Sequence, residues 1–121
     1  MLPTARSLKL LRDRGYRCAV VEKWNPHARI KQDLFGFIDI LAIKGGETLA
    51  VQATSGSNVA ARLTKIAEAD ATKDVLAAGW TIKVHGWRKI AKSGRWECRE
   101  VDAIAGLVAL GGASPCGAAG G

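Results

Sequence analysis

Asp39 and Gln52 are the side chains of this 121-residue chain whose types and placement allow chemistry. Each interrupts an apolar run: Gly36-Phe37-Ile38-Asp39-Ile40-Leu41-Ala42-Ile43-Lys44 precedes Gly45-Gly46, and Glu47-Thr48-Leu49-Ala50-Val51-Gln52-Ala53-Thr54 follows it. A Gly-Gly pair between β-rich runs predicts a two-residue hairpin turn with both glycines at positive φ. Closing the hairpin there pairs Lys44 with Glu47. Ile43 then faces Thr48, Leu41 faces Ala50, Asp39 faces Gln52 and Phe37 faces Thr54, these four pairs sharing one face. Directly opposed Cβ atoms lie about 5 Å apart, so a carboxylate and an amide oxygen in that register can share one hard cation. The other face, with Ile38, Ile40, Ala42, Leu49, Val51 and Ala53, is also apolar. A charge between two covered faces costs stability unless it is hydrogen-bonded or metal-bound. Two readings follow: half of a metal site, or a structural acid–amide pair.

Two further residues extend the metal reading. Glu22, in Cys18-Ala19-Val20-Val21-Glu22-Lys23-Trp24, shares by strand alternation the face of Cys18 and Val20, where an acid wants a partner. Lys65 lies on the helix expected after Thr54. The plainer alternatives are an ion pair of Glu22 with Lys23 or an Arg, and a solvated helix face holding Lys65 with Arg62.

The stretch Gly36-Phe37-Ile38-Asp39, an apolar strand, a tight turn and a second strand ending in Gln52-Ala53-Thr54 resembles the core of the PD-(D/E)xK nuclease superfamily, in the manner of archaeal-type Holliday-junction resolvases and VRR-NUC nucleases. The likeness spans residues 36–54 in motif and about 4–102 in order of elements. It implies an α/β, restriction-endonuclease-like core in the order α-β-β-β-α-β-β, a mixed central sheet flanked by helices. It also implies Mg²⁺ or Mn²⁺ held by Asp39, Gln52 and Glu22, and hydrolysis of phosphodiester bonds in DNA, branched DNA included. Gln52 stands where the family carries its second acid, Thr54 where it carries Lys, and Ile38 where it carries Pro. Lys65 would supply the missing ammonium. Relatives that cut two strands commonly dimerise, and small solitary nucleases of this kind are frequent in phages and mobile elements. A nuclease fold that binds nucleic acid without cutting, or an interaction module, are the alternative readings of these departures.

Charge fits a polyanionic partner. Eighteen Lys and Arg against eleven Asp and Glu leave a formal charge of +7, which draws polyanions by counterion release. Arg29 and Lys31 occupy the segment entering the Asp39 strand, and Arg62 and Lys65 follow the hairpin. Ser55, Ser57 and Asn58 form the turn before that helix, whose first amides can receive a phosphate. Arg6, Lys9 and Arg12 read instead as a solvated helix face.

The elements expected to position these residues are a helix from Thr4, as cap, to about Arg14 with Ala5, Leu8 and Leu11 inward, and a strand from Tyr16 or Arg17 to Trp24. Asn25-Pro26-His27 breaks that strand, and a loop reaches about Leu34. After the hairpin come a helix over 59–78 ended by Gly79 and strands over 81–85 and 95–101. Trp80 reads as core, whereas Trp24 and Trp87 sit at strand ends where base stacking is open to them. His27 and His85 lack ligand-like companions, and the three widely spaced cysteines, Cys18, Cys98 and Cys116, read as free thiols. The length suits one domain, residues 1–110, with a mobile Gly- and Ala-rich ending over 111–121. The chain has no apolar run of about 18 residues and its first residues lack the apolar stretch of a signal peptide, so a cytoplasmic location is expected.

Overall fold

Pro3 opens the first helix, where its fixed φ is pre-set for helix and its missing amide hydrogen costs nothing. The computed structural model describes residues 2–103. Cys116, the domain limit at 110 and the ending 111–121 lie outside them. Along the chain run α1 (Pro3–Asp13), β1 (Arg17–Val20), β2 (Lys23–Asn25), β3 (Ile30–Gln32), β4 (Ile40–Lys44), β5 (Glu47–Ser55), a 3₁₀ turn (Gly56–Asn58), α2 (Val59–Glu68), α3 (Thr72–Ala77), β6 (Thr81–Lys89) and β7 (Trp96–Asp102).

The protein is α/β. Five strands form one mixed sheet in the order β1-β4-β5-β6-β7, in which only β5 and β6 run parallel, while β2 and β3 make a separate two-stranded hairpin. Strand alternation divides the core in two. Ile40, Ala42, Leu49 and Val51 meet Leu11 of α1 on one face. Ala50, Ile82 and Val84, with Phe37 and Ile38, meet Val59, Leu63 and Ile66 of α2 and Val75 of α3 on the other. No helix among the described residues is long and apolar enough to cross a membrane.

The β4–β5 register runs as the Gly-Gly turn demands, Lys44 with Glu47 and Leu41 with Ala50. Only Gly45 has positive φ, however (58°), the pattern of a type II′ turn rather than one with both glycines left-handed. The expected strand to Trp24 ends at Val20, because after one further bond from the Val21 amide to the Asp39 carbonyl the chain turns away at Glu22, and Lys23–Asn25 pairs with Ile30–Gln32 instead. The segment 26–34 is therefore a hairpin turn and a short strand, not a plain loop. The helix expected over 59–78 breaks after Glu68, where the Thr72 hydroxyl caps the Ile66 carbonyl. In α1 the buried stripe is Ser7 and Leu11, Ala5 is exposed, and Thr4 makes no cap bond. β6 runs on to Lys89, which puts Trp87 inside a strand, buried, and removes it from base stacking.

Ser7 is buried for a reason the sequence hides. Its hydroxyl accepts from Trp87 Nε1 at 2.9 Å and lies 2.8 Å from His85 Nδ1, while His85 Nε2 lies 2.8 Å from Glu100 Oε2. Arg14 Nη1 donates to both Glu100 oxygens, at 2.9 and 3.1 Å. Burial lowers the His85 pKa against the pull of Glu100, so a neutral ring donating from Nε2 and accepting at Nδ1 satisfies the network. Ser, His and acid lie in line here, but Ser7 and His85 are fully buried, so no substrate reaches the hydroxyl and the cluster is a polar core.

Candidate metal centre and basic rim

The end of β5 holds the site. Asp39 lies one residue before β4, its amide donating to the Val51 carbonyl at 2.9 Å and its carbonyl accepting from the Val21 amide at 2.8 Å. Its carboxylate turns across β5, and Oδ2 accepts from Gln52 Nε2 (2.8 Å) and from the Ala53 amide (2.9 Å). Both side chains are 97% or more buried by area, at 3% exposure each.

Two further acids close on Asp39. Oxygens of Glu22, Asp33 and Asp39 all lie within 4.8 Å of one another. Glu22 comes from the link between β1 and β2, and Asp33 comes from the segment between β3 and β4, where Leu34 and Ile38 bridge across Phe35 and Gly36. Phe35 adopts φ 54° and Gly36 φ 88° in that turn, a left-handed pair that brings Asp33 back over Asp39. Burial first, then the hydrogen bond with Asp33, push the Asp39 pKa up to about 8, with the Asp33 and Glu22 charges adding to the rise and the Ala53 amide opposing it.

Gln52 carries the test of whether a cation fits. Its Nε2 is engaged with Asp39, and its Oε1 is buried with no hydrogen-bond partner. A buried amide oxygen left unpaired costs about 1–3 kcal/mol, and because Gln52 lines the same cavity as the three acids, its oxygen can join their carboxylates in an all-oxygen donor set of the kind a hard divalent cation takes. The residues present fit the ion.

The acids open into a cavity of about 490 Å³ whose walls also include Leu2, Pro3 and Thr4 at the start of the first helix together with Thr54, Ser55, Arg62 and Lys65. Lys65 Nζ lies 3.2 Å from Asp33 Oδ2, and Lys31 Nζ lies 3.8 Å from Glu22 Oε1. Lys65 is thus not on a solvated face, and the expected pairing of Glu22 with Lys23 gives way to Lys31. Thr54 is buried, with Arg62 Nε 3.5 Å from its hydroxyl, so a guanidinium from α2 stands beside it.

Of the residues expected at this site, Asp39, Gln52, Glu22, Thr54, Lys65, Lys31, Ser55 and Arg62 line the cavity, while Arg29, Ser57 and Asn58 are not among its walls. Arg29 sits in the exposed β2–β3 turn at φ 54°. Asn58 makes no cap bond to α2; its amide donates instead to Ser55 Oγ at 3.0 Å, and Ser57 Oγ lies 3.3 Å from that hydroxyl. Asp33 is the site residue that sequence reasoning missed. The spacing Asp33-x₅-Asp39 was its signal, obscured by the basic residues around it.

Comparison of the chain with protein-family models, with curated proteins and with solved structures gives no match in any of the three.

Proposed function

We propose that this chain is a metal-dependent nuclease that hydrolyses phosphodiester bonds of DNA, built on a PD-(D/E)xK-type core. The observation that carries the reading is the meeting of Glu22, Asp33 and Asp39 within 4.8 Å, in a cavity also lined by Gln52, whose Oε1 is buried and unpartnered. The order of elements supports it. Without the β2–β3 hairpin the chain runs α-β-β-β-α-α-β-β, a restriction-endonuclease-like order with its second helix broken.

Glu22, Asp33, Asp39 and Gln52 Oε1 would hold Mg²⁺ or Mn²⁺. Such an ion, when bound, supplies Lewis-acid polarisation of a phosphate oxygen and makes a water more acidic. Asp39 has to lose its proton to serve as a ligand, and its raised pKa makes that loss the pH-sensitive step. Lys65, held by Asp33, and Arg62, held by Thr54, face the cavity as two fixed cations that bind and orient the phosphate. Lys31 holds Glu22 and adds a third cation.

Cleavage of labelled single-stranded, duplex and branched DNA with Mg²⁺, with Mn²⁺ and with chelator tests the reading, beside Asp39→Ala. Metal-dependent cutting lost in Asp39→Ala is the expected result. Salt-sensitive binding with no cutting would favour a second reading, a nuclease fold that only binds, for which Thr54 in place of the family's Lys is the specific observation. Neither binding nor cutting would sink both.

A further inference from the structure

A second cleft shares Lys65 with the cavity of the metal centre and is otherwise lined by Phe35, Gly36, Ala69 and the acids Glu68 and Asp70, so a polyanion passing Lys65 that way meets like charge. The outer part of the β6–β7 hairpin, residues 88–97, carries Arg88, Lys89, Lys92 and Arg95 against a single acid, Glu97. Arg88 is paired with Glu97 at 2.9 Å. Lys89, Lys92 and Arg95 are exposed.

This hairpin is tied to the cavity on both flanks. Ser55, in the cavity wall, pairs in parallel register with Trp87, so β6 continues past the end of β5 through Arg88 and Lys89. The 3₁₀ turn after Ser55 lies directly against β6, since a Cβ added at Gly86 would meet Gly56 Cα at 3.2 Å and one at Gly56 would meet Arg88 Cβ at 3.4 Å. From the other flank, α1 supplies Thr4 to the wall and then Arg6, whose guanidinium lies 3.8 Å over the ring of Trp96 at the start of β7. The tip is closed by backbone bonds from Ile90 N to Arg95 O (2.7 Å) and from Gly94 N to Ile90 O (2.8 Å), so its cations project from a fixed base.

Resting on the nuclease reading, we infer that the β6–β7 hairpin is a second contact for nucleic acid, an arm in which Lys89, Lys92 and Arg95 bind backbone phosphates outside the metal centre. At about 3.3 Å per strand residue the tip stands about 10 Å beyond Ser55, roughly the axial length of three base pairs. The arm therefore grips phosphates about three nucleotides from the one at the cavity, and it does so without regard to base identity. Nucleic acid crosses the molecule from the cavity toward the hairpin, away from Glu68 and Asp70.

The test is binding of a DNA duplex to the full chain in chelator across a salt series, for the wild type and for the triple variant Lys89→Gln, Lys92→Gln, Arg95→Gln. With about 0.9 counterion released per phosphate contact, the log–log salt slope of the variant is expected to be shallower by about two to three, with affinity lowered alike for unrelated sequences. Wild-type cutting should also outpace the variant on a substrate with long flanks and match it on one trimmed to one or two nucleotides beyond the cut. An unchanged slope overturns the arm, and so does binding of the wild type to anionic lipid vesicles but not to DNA. The two proposals fail separately. Asp39-dependent cutting with an unchanged slope leaves the nuclease and removes the arm, whereas a reduced slope without any cutting keeps the arm and removes the nuclease.

Discussion

Replacing Asp39 by Asn should make the metal-free protein more stable, even though Asp39 accepts two hydrogen bonds at 2.8 and 2.9 Å. Asn keeps an acceptor oxygen for Gln52 Nε2 and Ala53 N, and its amide can donate to Asp33. What it removes is an acid that resists ionisation. Asp39 loses its proton near pH 8 in the fold and near 3.9 in the unfolded chain. The unfolded state thus gains about 1.4 kcal/mol for each pH unit between those values, about 4 kcal/mol at pH 7. The sign follows from a folded pKa above the unfolded one: stability is complete below about pH 4 and is lost as the pH rises through about 8. Solvent in the open cavity screens part of this, leaving about 2 kcal/mol at pH 7, or a melting temperature higher by roughly 8 °C or more in a domain of this size. Thermal melting of both proteins in chelator between pH 4 and 9 reads the effect directly. The curves should converge at pH 4 and diverge upward. If Asp39→Asn is less stable at pH 7, or the gap does not vary with pH, the acid–amide pair is structural and the reasoning fails.

Affinity for Mn²⁺ should climb about tenfold per pH unit toward pH 8 and level above it, because a protonated Asp39 cannot ligate; a flat profile by titration calorimetry would contradict this. Gly86→Ala puts a Cβ 2.3 Å from Val59 Cγ2 and should cost about 1–3 kcal/mol through overpacking, read as a lower urea midpoint. His85, its pKa lowered by burial, contributes stability that is whole above about pH 6.5 and is lost as the pH falls below it. Comparing urea midpoints at pH 7.5 and 5.5, His85→Gln should lose that acid sensitivity, and an equal response in both proteins would refute it.

The hairpin and its two polar residues were legible because period-2 burial and a Gly-Gly turn fix register by counting, and Asp39 and Gln52 do meet. Glu22 and Lys65 were legible only as candidates, since what brings them to Asp39 is the path of the chain between elements. Asp33 was hidden for the same reason: it reaches the site through left-handed φ at Phe35, a residue that gives no local sign of leaving the usual regions. Ser7 reads as a polar residue on a helix, and only its neighbours across 78 and 80 positions, His85 and Trp87, explain its burial. The split of the second helix was missed because alanine-rich sequence continues through Ala69 and Ala71, and the break depends on the Thr72 hydroxyl finding the Ile66 carbonyl.

The parallel pairing of β5 with β6 has a consequence for how the molecule assembles. Asp39 and Gln52 are joined by a local hairpin, which closes in about 1–10 μs, whereas β6 can reach β5 only after the chain between Gly56 and Trp80 has crossed over the sheet. Asp39 thus meets its amide partner while water still reaches it, and loses most of that water when α2 and the first helix pack over the sheet. The energetic penalty of the buried acid falls on the last stage of folding. Removing the charge should therefore slow unfolding more than it speeds folding, so that the buried acid at this strand end taxes the lifetime of the folded protein and spares its formation.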